Sequence, residues 1–175
     1  VANGGFNDRP LAQLKVQDDP EATYHASQLD DGRVAVYTSG AKPHLWVVNP
    51  NGGIDVDTPL KEPLQAGPTT VDRSLLVPLP GQLQLLGRSS RNVQYFPAPV
   101  TGETPEALKF LASLEDDQAL VMTASGRLSR LQLRQQDQVS FFDEVTAVPL
   151  EHAVDRGLTI VGDDLIVADN QPAVK

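Results

Sequence analysis

The fold class that the sequence predicts is an all-β chain assembled from copies of one four-stranded unit, and three observations predict it. Short apolar runs bounded by Gly, Pro, Asn and Asp recur along the 175 residues, as strands separated by tight turns would. The glycines that close successive runs, Gly40, Gly81 and Gly126, stand 41 and 45 residues apart. The acidic residues that open them, Asp31, Asp72, Asp117 and Asp164, stand 41, 45 and 47 apart. Two separate landmarks thus share their first two offsets. A period of about 40–50 residues with several strands per unit marks a propeller blade. The expected fold is a β-propeller segment of about three and a half to four four-stranded blades.

The elements follow in chain order. Leu11 to Val16 alternates apolar and polar, as an outer strand does, so residues 1–20 are assigned to a preceding blade. The first full blade, 21–63, has an inner strand Tyr24–Leu29, a tip at Asp30-Asp31-Gly32, and strands Arg33–Ser39, His44–Asn49 and Ile54–Asp57. Gly and Asp at the tip tolerate the positive φ of a hairpin turn. Pro59 and Pro63 then break strand pairing. The second blade, 64–103, repeats this with Thr69–Val71, a tip at 72–74, Leu75–Leu79, Gln82–Leu86 and Val93–Phe96. The third, 104–148, has Phe110–Leu114, a tip at Asp116-Asp117, Ala119–Thr123, Leu128–Leu133 and Val139–Phe142. Residues 149–175 begin a further blade with Leu158–Val161, a tip at 162–164 and Leu165–Ala168. One segment departs from the scheme. Thr104-Pro105-Glu106 reads as a helix start, with Thr as cap and Pro in the first turn, so one helical turn is expected at about 105–109.

Composition narrows the function classes. A net charge of −9 repels phosphate backbones and anionic membranes, which argues against nucleic acid as a partner. No apolar run approaches the roughly 18 residues of a membrane span. The chain has no cysteine, which excludes disulfides, thiolate metal sites and cysteine nucleophiles. It starts at Val1, and Val1-Ala2-Asn3-Gly4-Gly5 resembles neither an initiator nor a leader, so processing or excision from a longer chain is expected.

Leu45-Trp46-Val47-Val48-Asn49-Pro50-Asn51-Gly52-Gly53 resembles the repeat of PQQ-like (WD-type) β-propellers, in which an apolar strand ending in aspartate-proline is followed by a glycine turn. Asp31-Gly32-Arg33 to Ser39-Gly40 is similar to the segment that precedes it there, and Ala124-Ser125-Gly126 repeats its serine-glycine part. The resemblance covers nearly the whole chain. It implies the propeller fold, an extracytoplasmic (periplasmic) setting, and a choice between quinone-dependent enzymes and a non-enzymatic branch of scaffolds and sensors. The enzymes carry tryptophan docking motifs and an adjacent cysteine pair. Here the one tryptophan, Trp46, sits inside a strand and cysteine is absent. The non-enzymatic branch is therefore the one expected.

Other chemical signals reduce to structural roles. His25, His44 and His152 share no metal-ligand spacing. Asp30/Asp31, Asp116/Asp117 and Asp163/Asp164 could suggest calcium, but they sit at hairpin tips, where Asp has a turn role. Asp55 and Asp57 belong to a solvated outer strand. Arg127, Arg130 and Arg134 form a basic stripe, with 130 and 134 on one strand face by alternation. Trp46, Tyr95, Phe96, Phe141 and Phe142 are expected to pack between blades. No phosphate loop, nucleophile elbow or HExxH motif occurs. The expectation is no catalytic residue, no cofactor and no metal. The function expected is a non-catalytic binding or scaffold domain with a protein partner, acting through loops near 57–66, 97–109 and 143–154. The alternatives are a PQQ-dependent dehydrogenase-like domain and a sensor propeller on a signalling protein. Both end faces of such an arc are apolar, so closure within the chain, by a second copy or by further chain is expected.

Overall fold

The computed structural model describes residues 10, 12–16, 19–87, 93–101, 104–115, 117–137, 139–150, 157–161 and 164–168. Among these, every regular element is a strand. Blade I is the meander β1 (Thr23–Gln28), β2 (Val34–Ser39), β3 (His44–Val48) and β4 (Ile54–Pro59). Blade II is β5 (Thr69–Val71), β6 (Ser74–Leu79), β7 (Gln82–Leu86) and β8 (Val93–Pro97). A two-stranded ladder, β9 (Val100–Thr101) with β10 (Thr104–Pro105), lies between blades II and III. Blade III is β11 (Leu108–Glu115), β12 (Gln118–Thr123), β13 (Arg127–Gln136) and β14 (Val139–Pro149). The hairpin β15 (Gly157–Val161) and β16 (Asp164–Ala168) follows. Residues 12–16 join no sheet.

The turns explain why the sheets fold as consecutive antiparallel neighbours. Asp72 and Arg73, at φ 47° and 61°, make a two-residue turn between Val71 and Ser74. Positive φ at both central positions defines the hairpin turn that matches strand twist. The three landmark glycines all adopt positive φ: Gly40 at 139°, Gly81 at 69° and Gly126 at 85°. Their spacing in the sequence is thus the spacing of the bends after the second strand of each blade.

Alternation along the middle strands builds the stack. In β6, Leu75, Val77 and Leu79 join Ala35, Leu45 and Val47 in one core between blades I and II. Leu76 points the other way and joins Leu111, Ala119 and Val121 in a second core, between blades II and III. In β12, Leu120 and Met122 face Ile160 and Leu165 of the terminal hairpin. A strand buried on both faces reads as a continuous apolar run, which is why Leu75 to Leu79 shows no period-two pattern. Each such side chain contributes roughly 1.5–3 kcal/mol by leaving water. The result is an all-β propeller segment with sheets stacked around an axis lined by their first strands.

Two expectations are corrected. No helical turn forms at 105–109: Pro105 pairs with Val100, and β11 has begun by Leu108. Leu108 is buried in the core between blades II and III, and that burial overrides the local capping signal. The segment 143–149 is not a loop either, because β14 continues to Pro149. Opposite Arg130 and Leu131 the register shifts by one, leaving Val145 of β14 as the extra residue of a bulge just past the acidic Asp143-Glu144.

Candidate functional site: the axial groove and the outer edge of blade III

Among the described residues, each first strand, β1, β5 and β11, has a partner on only one side. Their free edges face the axis and frame a groove of about 280 Å³. Ser27 and Asp30 from blade I, Thr69 from blade II, and Lys109 and Ser113 from blade III line it. Gly67 lets the chain between blades I and II pass close over β1, since a Cβ there would come within 2.6 Å of Ser27 Oγ. Two contacts fix the ends of the groove. Gln65, ahead of β5, accepts the Leu108 N–H through Oε1 at 2.9 Å. Asp30, just past β1, accepts a hydrogen bond from Thr70 Oγ1 at 3.3 Å. Lys109 therefore stands where the inner strands begin, and Asp30 where they finish. Neither forms an ion pair within 4 Å among the described residues.

The side chains singled out in the sequence are mostly engaged inside single blades. His25 stacks on Tyr37 at 5.2 Å. His44 stacks on Trp46 at 4.3 Å, and its Nε2 lies 2.7 Å from Asp57 Oδ1. His152, Asp116 and Asp163 lie outside the described residues. Asp31 binds Arg33 at 2.7 Å, and Arg33 reaches Asp55 at 3.8 Å. Partial burial works against the Asp31 carboxylate, but hydrogen bonds and charge from Arg33 outweigh it and hold the carboxyl below its ordinary value. Asp117 accepts from Gln132. The basic stripe is divided among three partners: Arg127 with Glu144, Arg130 with Gln118, and Arg134 with Asp143. Among the described residues, no three His, Asp or Glu side chains gather as a metal site would require. The groove also does not fit a quinone that needs tryptophan docking, because Trp46 is buried on β3 against His44. Phe96 and Phe142 meet edge to face at 4.9 Å between blades II and III, as expected. Tyr95 and Phe141 do not pack between blades; both are exposed on outer strands.

The outer edges of the three blades differ. β4 carries Asp55 and Asp57, a bulge and a terminal proline, all devices that discourage pairing with another chain. β8 has five residues and ends on Pro97. β14 also bears two acids, a bulge at Val145 and a terminal proline, but at 11 residues it is the longest of the three edges, and its acids are matched by Arg134 and Arg127 across the ladder. Its Val139, Val145 and Val148 are 64%, 45% and 49% exposed. Sequence reasoning missed the groove, and it singled out 143–149 of this edge only as part of a loop. The signal for the groove was the inner-strand position of Thr69 and Ser113; the signal for the edge was Val145-Thr146-Ala147-Val148, with three β-branched residues in four.

No family model matches the chain, and no curated protein matches it. Solved structures are. A protein of unknown function from Bacteroides caccae aligns at TM-score 0.56 and 15% identity, over 84% of this chain and 56% of that one. BamB from Moraxella catarrhalis aligns at TM-score 0.58 and 15% identity, over 85% of this chain and 47% of that one. The chain spans about half the length of the structures it matches. At that identity the likeness is one of fold, and with the stacked four-stranded sheets it makes this chain an arc of a β-propeller.

Proposed function

We propose that the arc is a non-catalytic binding or scaffold domain that engages protein partners, with the outer edge of blade III as its docking strip. The observation that carries this reading is β14: a long edge strand, charge-balanced within its own blade, with three exposed valines. An open edge offers backbone donors and acceptors to an added strand, and exposed apolar side chains supply the area. The engagement of His25, His44 and the three arginines within their blades supports a structural role for those groups over a chemical one. Self-association that covers the apolar end faces, where Tyr24, Val34, Ile54 and Ile166 are exposed, belongs to the same reading.

The test is site-specific photo-crosslinking in the native cell. A crosslinker at Val145 on β14 is expected to trap a discrete protein product, and one at the exposed Gln94 on β8, the short edge of the middle blade, is not. Equal capture at both positions, or none at Val145, refutes the docking strip.

A further inference from the structure

The axial groove carries chemistry that the docking strip leaves unused. We infer that it is a binding site for a short extended peptide with free termini, laid antiparallel to β11. Three observations combine to give this. First, the axial edge of β11 has no partner strand among the described residues. At Leu108 a backbone N–H near that edge is satisfied by a side chain, Gln65; from Lys109 to Ser113 the strand borders the groove. An unpaired strand edge beside an open groove favours an extended backbone. Second, Lys109 and Asp30 place opposite charges at opposite ends of that edge. Third, apart from Phe110 and Leu111 of β11 itself, most of the lining is small or short, with the hydroxyls of Ser27, Thr69 and Ser113 among it. Together they ask little of the ligand's side chains and much of its backbone and ends.

Polarity then fixes direction. A peptide carboxylate is drawn to Lys109, where β11 begins, and a peptide ammonium to Asp30, where the inner strands finish. The peptide so placed runs opposite to β11, which is the direction favoured for an added strand. The stretch from Lys109 to Ser113 covers about 13 Å at roughly 3.3 Å per residue, the length of a tetrapeptide.

The experiment uses tetra-alanine with free termini, titrated into the 15N-labelled chain. Amide shifts are expected at 109–113 and at 27–30. Acetylating and amidating the peptide is expected to weaken binding at least fivefold, and Lys109→Gln or Asp30→Asn by about fivefold each, as loss of one partly exposed charge pair implies. The capped peptide on the unaltered chain keeps the test valid should a variant misfold. No shifts at millimolar peptide, shifts confined to other strands, or equal binding of capped and free peptide would each overturn the inference. Because the groove and β14 are separate surfaces, this test can fail while the crosslinking result stands.

Discussion

Asp31 and Arg33 show how a tip residue is tied to its strand. The ion pair is short, but the Asp31 side chain is 40% exposed, so water screens it and its contribution is small. The sign of its pH dependence is fixed nonetheless. The folded carboxyl ionises more readily than the unfolded one, so the stabilisation is fully present above the unfolded value, near pH 4. It is lost as pH falls through the folded value. Asp31→Asn should therefore lower stability at pH 6 and cease to matter at the lowest pH where the chain still folds. Urea unfolding of both proteins at the two pH values measures this. A difference that persists unchanged in acid would place the effect elsewhere than in the charge. Single residues also show where sequence reading stops. Asp31, Asp72, Gly40 and Gly126 were legible because turn chemistry is local and repeats. Asp30 and Lys109 were not legible as a pair, because 79 residues separate them and only the arrangement of blades around the axis makes them face one groove.

At the scale of elements, the strands were legible where apolar runs meet turn residues, and misread where local and tertiary preferences conflict. Thr104-Pro105 is a sound capping signal, yet Leu108 gains more from the core between blades II and III than a single helical turn could return. Asp143-Glu144 reads as a break in a strand. It is not one, because Arg127 and Arg134 on β13 neutralise both acids across the ladder. The β5–β6 hairpin offers a direct test of turn chemistry. Arg73 holds φ at 61°, a conformation that costs a non-glycine residue energy. Arg73→Gly should raise stability by about 0.5–1 kcal/mol, the gain in the turn exceeding the added flexibility of the unfolded chain. Destabilisation in chemical denaturation would show that the Arg73 side chain does more than occupy the turn.

The whole molecule rests on one physical arrangement: sheets whose middle strands are apolar on both faces, each face covered by the next sheet. Neighbouring residues of β6 therefore belong to different cores, Val77 with blade I and Leu76 with blade III. The docking strip and the groove both depend on it, since stacking fixes which edges point outward and which face the axis. The direct measurement is methyl–methyl nuclear Overhauser contacts in a Leu/Val-labelled sample. Val77 should show cross-peaks to Leu45 and Val47, and Leu76 to Leu111 and Val121. Contacts from both residues to the same neighbouring sheet, or cross-peaks of Val77 to blade III, would contradict the stacked-blade account.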